Sequence, residues 1–392
     1  MDSIIPYGKQ HVTQQDIDAV VDSLKSDFLT QGPKVAQFER EFADYIGCKF
    51  AVAVANGTAA LHLCALALDV NNKSRIITSP ITFAASANCI LYCGGSIEFA
   101  DIDPATGTLD FESVKEKLQS KSKGYYHGII PVDFAGYPVD LEKFKKLADE
   151  YGLWIIEDAC HAPGGYFTDS NNVIQNCGNG NYADMSIFSF HPVKHIATGE
   201  GGMITTNNES LYNSLLKFRT HGITKDPAQL EKNDGGWYYE MHELGYNYRI
   251  PDILCALGIS QLSRADEGLS ARKKIAKRYD KAFEKNDFIT PLTLHNSLEK
   301  DGISHAYHLY VIKTKERLKL YNHLRANSIF SQVHYIPVYK MPYYQRNGFE
   351  EVKCLHAEKY YSECLSLPMY PTLSEKEQNL VIESIFTFIK NL

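Results

Sequence analysis

The sequence predicts an α/β protein: a mostly parallel seven-stranded sheet covered by helices, followed by a smaller α+β portion. Three observations carry this. The chain has 392 residues, of which 44% are hydrophobic and 22% charged. That is an ordinary globular composition, but a long chain for a single apolar core. Seven short apolar runs rich in β-branched residues lie between about 49 and 207, several of them separated by stretches of helical spacing. Near-continuous apolar strands alternating with helices form parallel sheets buried on both faces. After Asn207 the pattern changes to amphipathic helices mixed with short strands. We therefore expect two domains, 1–250 with an N-terminal arm and 251–392 opening on a long linking helix.

The seven runs are KFAVAVAN, RIITSP, SIEFADID, YHGIIPVDF, LWIIEDAC, MSIFSFH and GGMITTN. TAALHLCALAL and DLEKFKKLADEYG carry helical spacing between them. The polar stretch TDSNNVIQNCGNGN near 168–181 reads as an exposed hairpin or loop. ESLYNSLLKFRTHGI reads as a helix with a basic end. The segment from Pro251 to Asn286 reads as one long amphipathic helix, opened by a good first-turn residue and broken near Gly268. Beyond about 287, SHAYHLYVIKT and SQVHYIPVY read as strands, and KERLKLYNHLRAN and SEKEQNLVIESIFTFI as helices.

The formal net charge of -7 argues against nucleic acid as a partner, because neutralising phosphates requires a basic footprint. The nine cysteines are scattered without a framework, so we expect reduced thiols and a cytoplasmic protein. The start, MDSIIPYGKQ, lacks the apolar core of a signal peptide. The longest apolar run, AALHLCALALDV, is too short to span a bilayer, and no membrane partner is expected.

Four features carry chemistry. ANGTAALHL (55–63) follows a strand and opens a helix, with Gly57 permitting close approach and Thr58 as the expected N-cap. Free amides at a helix start, beside a hydroxyl, suit an anion. LWIIEDACHA ends a buried strand in Glu157 and Asp158, with His161 three residues beyond; ligands of parallel sheets collect at such ends. A carboxylate there must find a cation or hydrogen bonds, and an imidazole can stack on a planar ring. In MSIFSFHPVKH, Lys194 follows a strand. A lysine held in a dry site loses proton affinity and can form a Schiff base. His191 and His195 have metal-pair spacing on a helix, but Pro192 disfavours that helix and two ligands do not make a zinc site; no metal is expected. A phosphate cradle, a buried carboxylate, a stacking ring and an amine are together what pyridoxal 5'-phosphate requires.

DFLTQGPKVAQFEREFADYIG, ANGTAALHL, EDACHA, SFHPVKHIATGEGG and LGYNYRIPDILCALGISQL, in that order, resemble the DegT/StrS-type sugar-nucleotide aminotransferases. The resemblance covers nearly the whole chain. It implies a fold-type I enzyme using pyridoxal phosphate, with pyridoxamine phosphate as intermediate, and Lys194 as the catalytic Schiff-base lysine. Members with histidine at that position act as dehydratases; lysine favours transamination. The resemblance further implies that Thr58, Ala59 and Ser189 hold the phosphate, that Asp158 faces the ring nitrogen, and that His161 stacks on the ring with Phe83 nearby. Asn247 is expected to reach the neighbouring subunit's cofactor, which requires a homodimer with composite sites. IPYGKQ, DFLTQGP, RTHGIT and VHYIPVYKMPYY narrow the resemblance to members acting on UDP-4-keto-sugars with L-glutamate as donor. On that basis Tyr7, Leu29, Thr30, His334, Tyr335, Ile336 and Pro337 are expected to touch the substrate. Two other readings compete: the same chemistry on another 4-keto or 3-keto sugar nucleotide, and a non-enzymatic sugar-nucleotide-binding protein in which Lys194 is idle.

Overall fold

The computed structural model describes residues 4–392. All seven apolar runs form the main sheet: β1 Phe50–Val54, β2 Arg75–Thr78, β3 Ser96–Phe99, β4 Gly128–Ile130, β5 Trp154–Asp158, β6 Met185–Ser189 and β7 Gly202–Thr206. Their order is β1-β7-β6-β5-β4-β2-β3. Every pairing from β6 to β3 is parallel, and only β7 runs against its two neighbours. Both faces are buried, and the strands show how. Val52, Ile76, Ile130, Ile156, Ile187 and Ile204 point into one apolar cluster. The residue beside each, namely Ala51, Ile77, Ile129, Ile155, Phe188 and Met203, points into a cluster on the opposite face. Side chains alternate across a strand, so a strand buried on both faces must be apolar at every position.

Helices α1 Gln14–Lys25, α2 Pro33–Ile46, α3 Gly57–Ala67, α4 Ala85–Tyr92, α5 Phe111–Gln119, α6 Leu141–Tyr151 and α7 Glu209–Arg219 accompany this sheet. The stretch from Pro251 to Asn286 is two helices, α8 Asp252–Leu262 and α9 Ala265–Phe283. The break expected near Gly268 falls at Ser263–Arg264. There the Ser263 hydroxyl donates back to the Ser260 carbonyl at 2.8 Å, and the Arg264 guanidinium swings to buried Asp16 at 2.6 Å. A hydroxyl bonded to the preceding turn bends a helix, whereas a glycine inside one is tolerated. α8 packs on α1 and α2.

A second, three-stranded sheet is formed by β8 Thr290–Pro291, β9 Tyr310–Lys313 and β10 Cys364–Leu367. It is flanked by α10 Arg317–Ala326, α11 Leu355–Glu363 and α12 Glu375–Lys390. SQVHYIPVY does not form the expected strand. It makes one bridge, Gln332 to Ser366, and is otherwise held by side chains: Tyr360 donates to the His334 carbonyl at 2.8 Å, and His334 Nδ1 meets Ser366 Oγ at 2.9 Å. Aromatic and β-branched residues gave it a strand's composition, but Pro337 cannot donate to a ladder. The polar 168–181 stretch contains a hairpin, Tyr166–Thr168 with Ile174–Asn176. Only its tip is exposed; Gln175, Cys177 and Asn179 are buried, correcting the expectation that the whole stretch is exposed.

The segment leading into β9 is stitched to the large sheet's side of the molecule. Ser304 and Tyr166 exchange backbone bonds at 2.8 and 3.1 Å; Ala306 N–H donates to Gly136 at 2.8 Å, and Leu309 N–H to Ala135 at 3.1 Å. Gly136 has φ +99°, and a Cβ there would lie 2.8 Å from the His161 carbonyl and from Tyr307 N, so glycine is required. Arg272 on α9, fully buried, donates from Nη1 to the carbonyls of Tyr307, His308 and Met369 at 3.1–3.3 Å.

A second glycine controls the cofactor-side geometry. A Cβ at Gly202 on β7 would lie 2.6 Å from the Asn56 carbonyl carbon and 2.9 Å from Gly57 N. β7 therefore lets the β1–α3 turn press against the sheet only because it is bare there. Gly202→Ala is expected to cost about 1–3 kcal/mol through overpacking and to loosen the start of α3. Urea denaturation, with phosphate-ester retention measured alongside, checks both effects.

Candidate active site

The carboxyl ends of β1, β5 and β6 meet over one cavity of about 770 Å³. Each end delivers a different group. After β1, the chain turns into α3, capped by Asn56 rather than by Thr58: the Asn56 side chain accepts from Ala59 N–H at 2.8 Å. Asn56 has the extended backbone of an N-cap, and an asparagine two residues earlier outcompetes the threonine. This leaves the Thr58 amide and hydroxyl at the lip of the cavity. Ser189 ends β6 beside them; a Cβ on Gly57 would come within 3.0 Å of Ser189 Cβ. Helix-start amides between two hydroxyls suit a phosphate.

Asp158 ends β5 and is buried. Its Oδ2 accepts from Ser86 Oγ at 2.7 Å, its Oδ1 from Cys160 N–H at 3.2 Å, and Ser86 in turn meets Thr82 Oγ1 at 2.7 Å. A carboxylate in this setting is ready to face a cationic ring nitrogen. His161 is buried, and its Nδ1 accepts from Ala135 N–H at 3.2 Å. With Nδ1 used as an acceptor, Nε2 carries the ring proton and faces Tyr335 Oη at 3.3 Å. Burial first, and then the Lys194 charge, push the His161 imidazole well below its usual range, so the ring is neutral. His308 packs against it, with ring centroids 4.3 Å apart and the planes tilted by 35°.

Lys194 sits in a turn after β6, within a loop closed by Phe190 N–H to Gly201 at 2.8 Å and Thr198 N–H to Phe190 at 2.9 Å. His195 anchors the turn from the other side through Nε2 to the Ala306 carbonyl at 2.8 Å. Burial lowers the Lys194 ammonium below the ordinary lysine range, against the opposing pull of Cys160 and Asp158. The cavity thus joins an amine that gives up its proton more readily than a surface lysine to a buried carboxylate, a neutral ring and a phosphate cradle. The donor set fits pyridoxal phosphate.

Thr58, Ala59, Phe83, Asp158, His161, Ser189 and Lys194 all line this cavity, as do Tyr7, His334 and Tyr335. Leu29, Thr30, Ile336, Pro337 and Asn247 do not line it. Leu29, Thr30, Ile336 and Asn247 are exposed on the surface of this protomer, and Pro337 is buried behind the mouth. The sequence reading passed over Ser86, Tyr248 and His308, which also line it. Ser86 lies in a helix with no strand-end signal, and only its bond to Asp158 reveals it.

The sequence profile of the DegT/DnrJ/EryC1/StrS aminotransferase family matches residues 10–386. The chain belongs to this family. It is 36% identical over 394 residues to the UDP-4-amino-4,6-dideoxy-N-acetyl-beta-L-altrosamine transaminase of Campylobacter jejuni, covering 99% of this chain and 98% of that one. Among solved structures, PseC of Helicobacter pylori, an aminotransferase involved in the biosynthesis of pseudoaminic acid, superposes with a TM-score of 0.88 at 30% identity over the full length of both chains. The sugar aminotransferase Spr1654 of Streptococcus pneumoniae, solved in PLP and PMP forms, superposes with a TM-score of 0.88 at 27% identity, covering 99% of this chain and at least 98% of that one. The protein is a pyridoxal phosphate-dependent sugar-nucleotide aminotransferase with the fold-type I architecture.

Within this family member, Ser86→Ala removes a hydrogen bond to a charged group. Such bonds are worth about 1.5–3 kcal/mol, so cofactor affinity or turnover is expected to fall roughly 10–150-fold. Asp158→Asn is expected to fold but to lose most activity, because an amide cannot pair with a ring cation. Cofactor titration and single-turnover rates check the order of severity, Asp158→Asn above Ser86→Ala.

Proposed function

We propose that the protein transfers an amino group from L-glutamate to C4 of UDP-2-acetamido-2,6-dideoxy-β-L-arabino-hex-4-ulose, as in pseudaminic acid biosynthesis. The observation carrying this is the composition of the cavity mouth. Tyr7, from the N-terminal arm, packs against His334 with ring centroids 5.4 Å apart, and both lie with Tyr335 on the same cavity as Lys194. These residues belong to IPYGKQ and VHYIPVYKMPYY, two of the four segments that together narrow the resemblance, and the Campylobacter relative is named an altrosamine transaminase. Aromatic faces pack against sugar C–H groups, and convergent polar groups read hydroxyls.

Bound pyridoxal phosphate supplies a carbonyl that carries nitrogen between substrates and a ring that accepts the electron pair left by a departing proton. Thr58, Ala59 and Ser189 would hold its phosphate, Asp158 its ring nitrogen, and His161, with Phe83 nearby, its ring. Lys194 is the catalytic group. With the cofactor bound, Lys194 Nζ would take the proton from the donor's α-carbon and hold it for return, and in the second half it would deliver a proton to the acceptor carbon. A buried amine with lowered proton affinity is suited to taking that proton. The neutral His161 ring places no positive charge against the cofactor, so Asp158 alone stabilises the ring cation.

A second copy of the chain is the proposed partner. The exposed stripe Ile17, Val21, Leu24 and Phe28 on and just after α1, and the exposed Trp237, Met241 and Leu244 in the segment leading to Asn247, leave apolar surface uncovered. Mixed dimers test this. Subunits carrying only Lys194→Ala and subunits carrying only Asn247→Ala, each inactive alone, should regain activity on mixing, because one site of the mixed dimer then carries no lesion. No recovery, with Asn247→Ala itself impaired, would place Asn247 in its own subunit's site.

The acceptor is tested by turnover efficiency on the L-arabino 4-keto sugar and on its D-xylo epimer, which differ at C5. A pocket mismatch of about one methyl is worth roughly 1–3 kcal/mol, or 10–200-fold in rate, so we expect preference for L-arabino with some cross-reaction. Higher efficiency on the D-xylo compound would move the assignment to a different sugar of the same class.

A further inference from the structure

Glu157 and Asp158 are neighbours on β5 and so point to opposite faces of the sheet. Asp158 faces the cavity. Glu157 faces away, fully buried, and meets Asp133, which follows β4 and is also fully buried. The two strands are bonded at this level: Asp158 N–H donates to the Pro131 carbonyl at 2.9 Å, and Asp133 N–H to the Asp158 carbonyl at 3.0 Å. Polar atoms of Asp133, Glu157 and Cys177 lie within 4.8 Å of one another. The donors are unevenly shared. Glu157 Oε2 accepts from Gly178 N–H at 2.9 Å and from Ser186 Oγ at 2.6 Å; Asp133 Oδ1 accepts from Val139 N–H at 2.8 Å. Asp133 Oδ2 is buried with no donor directed at it.

We propose that Asp133 and Glu157 hold one proton between them, on Asp133 Oδ2 and directed at Glu157, and that this pair is the positioning device behind Asp158. The geometry requires the proton. Neither carboxyl has an ion-pair partner among the described residues; the titratable groups near the pair are Cys177, from the loop after the hairpin, Cys160, and Asp158 on the cavity face. Two carboxylates this close in a dry site cannot both ionise. Glu157, with two donors, is the better-stabilised anion. Asp133 Oδ2, buried and without a donor, is satisfied if it is itself the donor. Burial, then the opposing carboxylate's charge, raises Asp133 well above its usual range, and burial also raises Glu157. The same three groups could be read as metal ligands, but they offer three ligand atoms, fewer than the four of a closed structural zinc site.

The consequence for the reaction rests on the assignment of Asp158 proposed above; the shared proton does not. Through this pair the sheet keeps a single negative charge behind Asp158 instead of two, and the loops after β4 and before β6 are tied to the backbone that carries it. Asp133 and Glu157 are positioning residues, since neither faces the cavity.

The test begins with infrared spectroscopy of the purified enzyme at neutral pH. The carbonyl stretch of a protonated carboxylic acid is expected in the wild type and lost in both Asp133→Asn and Glu157→Gln. Absence of the band in the wild type, or its survival in both variants, overturns the proposal, and either variant suffices should the other fail to fold. The sign of the pH effect is fixed as well. A carboxyl whose folded pKa is raised contributes stability that is present below the ordinary carboxylate range and is lost as pH rises through the raised value. Asp133→Asn keeps a neutral donor towards Glu157, so its urea midpoint relative to wild type should rise from about pH 5 to about pH 9; a flat difference counts against the shared proton. The positioning role is read from the pH midpoint of the bound cofactor's visible band. The single variants keep one negative charge and should leave it in place, whereas the double variant Asp133→Asn/Glu157→Gln removes that charge and should lower it. An unmoved midpoint in the double variant overturns the positioning role. If Asp158 does not serve the ring, Asp158→Asn leaves the visible band unchanged while the infrared band remains, which separates that failure from failure of the pair.

Discussion

The site depends on burying a carboxylate at the carboxyl end of a central parallel strand. A charge taken out of water there must be held by hydrogen bonds until a cation arrives. Ser86 from α4 and the Cys160 amide hold Asp158, and the backbone after β4 clamps its peptide on either side. Those bonds fix where β4, β5 and α4 meet. The cavity then lies between Asp158, His161 and the start of α3, and Lys194 reaches it from the turn after β6. The order of groups around the cavity follows from the order of strands in the sheet.

Most of the large sheet was legible because its strands are buried on both faces. Five-residue runs that are apolar throughout, such as FAVAV, or broken only by small serines, such as MSIFS, leave little else to form. The residues proposed to hold the cofactor share one cavity for a related reason: Asp158, Ser189 and Lys194 stand at or just beyond the ends of those runs, where parallel sheets gather ligands. What escaped reading is held by side chains from distant parts of the chain. Nothing local marks Ser86 as the donor to Asp158, which lies 72 positions away. The Asn56 cap lost to Thr58 in the reading because both are good caps and boundaries shift by a residue or two. The 331–339 segment has a strand's composition and no ladder, since Tyr360 and Ser366 take its polar groups. The helix break moved from Gly268 to Ser263–Arg264 because an arginine drawn to Asp16, 248 positions away, is invisible to local spacing.

The two faces of β5 do different work at adjacent residues. Asp158 is arranged for a ligand, and Glu157 for the protein's own interior. A strand with period two allows this separation: the chemistry faces the cavity while the electrostatic balance that supports it is kept in a dry compartment that no substrate enters. Substitutions on the hidden face therefore act on stability and on charge without changing the shape that a sugar meets.

Arg272 is buried without a carboxylate partner among the described residues, and its Nη1 binds three carbonyls on two segments of the chain. The first of these segments is laced to Gly136 and Tyr166 on the large sheet's side, and Met369 on the second donates to the Tyr7 carbonyl. Pulling the small sheet away would expose a guanidinium and strip several backbone bonds at once, so the molecule has no hinge there. An arriving nucleotide sugar meets a groove already built, and the adjustment left to it lies in the Tyr7 arm and in rotamers at the mouth. Differences in affinity among acceptors then report how well each sugar fits, with little contribution from the work of closing a lid.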